Sequence, residues 1–378
     1  MLAGCATAQT GRGGLAFYDA VPPLAPYRLH ADRFFDITVC LRPFRAAGPR
    51  FDVETVAGKK VVHNYGHGGG GWSLSWGSAE VVVPRALEGG GASIAVIGCG
   101  ALGLTAATVA LRAGVPVTIY AKEVIHQARS SRATGTWSPD SRVALAKDAP
   151  AGFAQLWEQM ARVSFKTYRS YLGLPGKPVE FTDRYGLSDI PPAQAREERE
   201  AADIMHFAQY GRSIADLTPR PEVLPPGSHP FPVRFVQRNT SLQFNVADYG
   251  HTLLTDFLLA GGKLVMREFN SPQDLASLPE PVVINCTGYG ARALWRDESV
   301  IPVRGQIAWL IPQPEVTYGL SYRNVTLLPR SDGIVLQNNG GGEAQGFNDA
   351  NETVDRAEAE AGLKVYTDLY ARMRSARG

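Results

Sequence analysis

Two glycine-rich stretches of this 378-residue chain have the residue types and spacing to do chemistry. Gly98-x-Gly100-x-x-Gly103 follows the apolar run IAVI (94–97) and opens an Ala/Leu-rich segment. In such a triplet the first glycine permits a tight turn and the second lets the backbone approach a pyrophosphate. The third allows a helix to pack closely on its strand. The N-terminus of that helix then offers free N–H groups and partial positive charge to phosphates. The second stretch, HNYGHGGGGWSLSWGSA at 63–79, sets Gly68–Gly71 between histidines and tryptophans, a backbone suited to lie against a ligand. It stands before the strand that would normally open a nucleotide-binding fold, which is an unusual order.

These stretches need elements to position them. The run 94–97 reads as a strand buried on both faces, 104–113 as a helix with Gly114 at its C-terminal cap, and 115–120 as the next strand. That β-α-β context separates a dinucleotide site from a merely structural turn. Glu123 lies about 20 residues past Gly103, the spacing of an acid that binds ribose hydroxyls. Helices are expected at 151–173, 249–260 and 352–373, and strands at 263–267, 281–288, 305–311 and 333–337. Segments 219–232 and 311–320 read as Pro/Gly-rich loops. The fold class is α/β in one part and α+β in the other.

Composition narrows the function classes. Charged residues make up 20% with a formal net charge of +2 and no long basic run, so nucleic acid is not an expected partner. No stretch of about 18 apolar residues is present to span a membrane. Four scattered cysteines (Cys5, Cys40, Cys99, Cys286) show no metal-ligand spacing, and no metal site is expected. Leu2-Ala3-Gly4-Cys5 has the form of a lipobox, which would make residues 1–14 a tether anchored at Cys5; the alternative is an incidental match in a disordered start. A truncated signal there would mean a bacterial periplasmic or membrane-anchored protein, and its absence a cytoplasmic one.

Several segments together resemble the D-amino-acid oxidase family of FAD-dependent oxidoreductases. They are His63-Asn64-Tyr65-Gly66-His67-Gly68-Gly69, Arg42-Pro43-Phe44-Arg45, Tyr120-Ala121-Lys122, Ser130-Ser131, Gly135-Thr136-Trp137-Ser138-Pro139, Asn285-Cys286-Thr287-Gly288 and Arg304-Gly305-Gln306. In the family the Arg-Pro and His-Asn-Tyr-Gly segments follow the substrate domain; here they precede the fingerprint. The resemblance therefore implies a circular permutation, joined through Glu88-Gly89-Gly90-Gly91. It implies a Rossmann-like FAD-binding domain over 46–140 and 236–305. A mixed-sheet substrate domain would take 15–45, 141–235 and 306–378.

The implied activity is oxidation of an amino acid, by the resemblance the D enantiomer, to an imino acid and then a 2-oxo acid, with oxygen or a quinone as electron acceptor. Other amines, or flavin binding without turnover, are the alternatives. Arg42 would anchor the substrate carboxylate, since a guanidinium can hold both oxygens. Tyr322, in a loop over 318–329, would touch the same carboxylate, and Gly69 the amine. FAD contacts would come from Gly98, Gly100, Gly103, Lys122, Glu123, Ser130, Ser131, Gly135, Trp137, Phe269 and Thr287. The isoalloxazine would lie against Gly68, Gly70, Gly71, Trp72 and Ser73. His63 and His67 would be structural.

This chain departs from the family pattern at three positions. A second loop tyrosine falls on Thr326, an aromatic position in the glycine run is Gly70, and the ribose-binding acid falls on Lys122, with Glu123 as a displaced substitute. Asp140 is either a selector for a basic substrate side chain or the N-cap of a helix over 141–147.

Overall fold

A computed structural model describes residues 24–375. Cys5 and the 1–14 segment lie outside the described residues. The strands are β1 (Phe34–Phe44), β2 (Val53–Val56), β3 (Lys59–His63), β4 (Ile94–Ile97), β5 (Val117–Ala121), β6 (Val179–Ser188) and β7 (Glu222–Leu224), followed by β8 (Phe235–Phe244), β9 (Lys263–Met266), β10 (Val282–Asn285), β11 (Ile301–Leu310), β12 (Tyr318–Tyr322), β13 (Val325–Arg330) and β14 (Gly333–Asn338). They form two sheets. One is six-stranded in the order β2-β3-β10-β4-β5-β9; the other is eight-stranded in the order β1-β11-β14-β13-β12-β6-β8-β7.

In the six-stranded sheet, β3, β10, β4, β5 and β9 run parallel and only the edge strand β2 is antiparallel. Alternation along β4 shows why this segment is apolar throughout. Ile94 and Val96 enter the core beneath the helices, whereas Ala95 and Ile97 pack with Val61, Val283 and Phe269 on the opposite face. The helices of the first core are α1 (Gly71–Leu87), α2 (Ala101–Arg112), α3 (Phe153–Tyr168) and α5 (Val246–Leu259). Between α3 and α5 lies the exposed α4 (Pro192–Ala202). Gly114 follows α2 with φ +84°, the left-handed position expected of a C-terminal cap. After the short α6 (Ala291–Leu294), the last helix α7 (Arg356–Ser375) covers the outer face of the eight-stranded sheet.

Three expectations change. No helix forms over 141–147: Arg142 takes a left-handed φ of +49°, and the backbone there bonds across to Ala46, His206 and Ala208 instead of to itself. The expected loop at 318–329 is a hairpin, β12–β13, whose two turn residues Arg323 and Asn324 have φ of +48° and +60°. Strand β8, which the expected division gave to the nucleotide unit, belongs to the eight-stranded sheet, where it pairs along its length with β6.

Candidate active site

The carboxyl ends of β3, β10, β4 and β5 all open on one cavity of about 820 Å³, whose other wall is the eight-stranded sheet. Ligands of open parallel sheets bind at this edge, where neighbouring strands connect in opposite directions. Gly98, Gly100, Lys122, Glu123, Ser130, Gly135, Phe269 and Thr287 line the cavity at the fingerprint end. Gly68, Gly69, Gly71, Trp72 and Arg42 line it at the other. Sequence positions as far apart as Arg42 and Thr287 thus meet in one space.

The remaining expected residues stand behind the wall. Gly70 caps the start of α1, and Ser73 Oγ accepts the Ser138 N–H at 2.8 Å. Ser131 Oγ donates to the Ala128 carbonyl, and Trp137 packs edge-on against Phe165. Gly103 is pressed against the β4 turn.

Tyr322 lies elsewhere. It is buried under α7, its hydroxyl donating to Asp189 at 2.6 Å and accepting from Arg372 at 2.7 Å. Its strand neighbours Leu320 and Ser321 line the cavity, and Tyr322 does not. Tyr322→Phe is accordingly expected to leave kcat/KM within about twofold while lowering stability by about 1–2 kcal/mol, read by steady-state kinetics and urea unfolding. A large fall in kcat/KM would return this tyrosine to the site.

The glycine run is held from both sides. Gly68 N–H donates to the Pro43 carbonyl, and Gly69 N–H to the Ser141 carbonyl, each at 2.9 Å. A Cβ on Gly68 would stand 1.9 Å from the Arg142 carbonyl oxygen, and one on Gly70 2.7 Å from that of Pro139. The segment 139–142 therefore lies directly along this loop. Arg42 extends across β11, where Gly305 leaves room: a Cβ there would stand 2.4 Å from the guanidinium nitrogens. Among the described residues its hydrogen bond goes to the Arg304 carbonyl at 3.2 Å and it makes no ion pair.

Sequence reasoning missed several charged groups that line the cavity. Arg142 is buried, bonded to the carbonyls of Glu343 and Gly342 and ion-paired to the Glu343 carboxylate at 3.1 Å. Burial, with the nearby Arg42 charge, pushes its guanidinium down to about 10. Arg184 on β6 is likewise brought to about 10 by burial, and among the described residues its Nε has no partner. At the nucleotide end Glu268 pairs with Lys122 at 3.4 Å. Each of these depends on a contact between segments far apart in sequence, so no local spacing announces it.

The histidines are structural in their contacts. His63 ties β3 to its neighbours through Glu54 at 2.6 Å and Asn285 at 3.0 Å. His67 bonds Ser78 Oγ at 2.7 Å, and burial pushes its ring down to about 3. Its unfolded value is near 6.5, so the unfolded chain binds the extra proton between those limits. The stability due to neutral His67 is full above pH 6.5 and is lost toward pH 3, by about 1.4 kcal/mol per pH unit. Urea midpoints at pH 7, 5 and 4 should fall less steeply in His67→Gln than in the parent; equal slopes would acquit this ring.

Residues 93–376 match the family described as DAO: FAD dependent oxidoreductase. The chain belongs to this family. It is 31% identical over 293 residues to a D-amino-acid oxidase of Rubrobacter xylanophilus, covering 75% of this chain and 78% of that protein. It is 29% identical to a D-amino-acid oxidase of Streptomyces coelicolor, over 57% and 58% of the two chains. Among solved structures, iminodiacetate oxidase from Chelativorans sp. BNC1 shares the fold, with TM-score 0.50 and 16% identity over 74% of this chain and 79% of that one.

The cofactor of this family is FAD, and the cavity fits it. A Cβ on Gly98 (φ +105°) would stand 2.5 Å from the Cys286 carbonyl, and one on Gly100 2.8 Å from Ser130 Oγ. Only bare backbone leaves the phosphate cradle open. Two helix N-termini, α2 and α1, face the same space with their first N–H groups outside the helical ladder. Gly98, Gly100, Ser130 and Thr287 would hold the nucleotide half, and Gly68, Gly69, Gly71 and Trp72 the ring half.

Proposed function

We propose that the protein oxidises an amino acid, the D enantiomer, to its imino acid, which water then hydrolyses to a 2-oxo acid and ammonia. The observation that carries this reading is Arg42, a guanidinium with no carboxylate partner among the described residues, beside the glycine run of a flavin cavity. The D-amino-acid oxidases named above support the choice of substrate and of enantiomer.

The FAD that this cavity would hold would supply the acceptor for the hydride leaving the substrate Cα. Arg42 holds the α-carboxylate through both oxygens and so fixes which hydrogen faces the acceptor. The Gly69 backbone meets the substrate amine. The first N–H groups of α1, at the positive end of that helix, stabilise negative charge that develops in the cavity. His67 is too weak a base at neutral pH to take the ammonium proton.

The chain order is read as a circular permutation of the family arrangement. Its support is that β1 and β3 precede residue 93, where the family match begins, yet pair with β11 and β10 of the matched region, and the glycine run bonds to Ser141 there. Tyr27, shortly before β1, donates its N–H to Tyr370 of α7 at 3.4 Å, so the two regions that the permutation separates are in contact.

An anaerobic titration of the flavoprotein with D- and L-amino acids tests the function. Bleaching of the flavin absorbance by D-amino acids alone is the expected result. Bleaching by neither set would move the substrate to another amine, and admission of air then separates oxygen from a quinone as acceptor.

A further inference from the structure

We propose that Asp140 is a specificity-determining residue that binds a cationic nitrogen on the substrate side chain, so that basic D-amino acids are preferred. This rests on the function proposed above and adds the side-chain class.

The placement comes from the glycine run. Gly68 is bonded to Pro43, the neighbour of Arg42, and Gly69 to Ser141, the neighbour of Asp140. Both Arg42 and Asp140 line the cavity. They therefore flank the two glycines against which the substrate would lie, one offering a positive charge and the other a negative one. A molecule with a carboxylate at one end and a cation at the other matches both.

The charges around Asp140 single it out. Arg142 is already satisfied by the Glu343 carboxylate and by two backbone carbonyls, so it offers no free charge for an acidic side chain. Glu343 is engaged in turn. Asp140 makes no ion pair among the described residues; its partner is the Gly211 N–H at 3.2 Å. Burial raises its carboxyl, and the Glu343 charge adds to the effect. A half-buried carboxylate without a countercharge is costly, and a ligand cation beside it would offset that cost. The competing structural role, capping a helix over 141–147, is removed because that helix does not form.

The experiment compares isosteres: D-lysine against D-norleucine and D-arginine against D-citrulline, by rapid anaerobic flavin reduction in the parent and in Asp140→Asn. The parent should reduce about tenfold or more faster, per unit concentration, with the charged member of each pair. Asp140→Asn should lose most of that ratio through weaker binding of the charged member. No preference in the parent, a faster reaction with D-aspartate or D-glutamate, or an equal loss on both members in the variant would overturn the subsite. Reduction by neutral D-amino acids in those cases leaves the proposed function standing. Failure of every D-amino acid to reduce the flavin overturns both.

Discussion

Arg42→Ala is expected to lower kcat/KM by about 10²–10³-fold while the protein keeps its flavin. The estimate follows from the cost of removing one side of a desolvated, charge-assisted pair, about 2–5 kcal/mol, and from about 1.4 kcal/mol per factor of ten. Arg42→Lys should fall between the two, because an ammonium keeps the charge but cannot hold both carboxylate oxygens in one plane. Gly305→Ala offers an independent check. Its Cβ would stand 2.4 Å from the Arg42 guanidinium and force it from its present course across β11. The side chain would remain charged but misplaced, so activity should drop without loss of the guanidinium itself. Rates for Arg42→Ala within about threefold of the parent, with flavin bound, would exclude Arg42 as the anchor.

What was legible in the sequence is what local physics fixes. Gly98, Gly100 and Gly103 follow a strand and open a helix, and each of those facts can be read within a window of about fifteen residues. The strand at 282–285 and the helices after residues 152 and 245 were legible for the same reason: their periodicity is their own. The place of Tyr322 is not legible locally, because its side-chain direction depends on register. In a strand, one position decides between the cavity face and the α7 face, and the turn at Arg323–Asn324 that fixes the hairpin lies beyond Tyr322 itself. The 141–147 segment misled in another way. Its composition permits a helix, but its backbone groups bond to residues 46, 206 and 208, and such partners are invisible to any local window. Arg142 and Glu343 stand some two hundred residues apart in sequence, and only the fold makes them a pair.

The same distinction governs which glycines matter. Gly103→Ala should cost the protein its flavin and much of its stability, because the new Cβ would stand 1.9 Å from the Gly98 carbonyl oxygen. Both partners are backbone, one in α2 and one in the turn after β4, so no side chain can swing aside. Relief requires α2 to move off the sheet, yet its face is packed into the core shared with α1. Overpacking of this kind costs about 1–3 kcal/mol or more, and the displaced helix N-terminus no longer points its N–H groups at the phosphates. The expected product is a colourless protein with a lower urea midpoint. Gly114→Ala supplies the contrast. That glycine has φ +84° and, among the described residues, nothing within 4 Å of where a Cβ would stand, so alanine there should cost about 1 kcal/mol of backbone strain and leave the flavin in place. If Gly103→Ala bound FAD as tightly as the parent, the close helix–strand contact would not be what holds the cradle open.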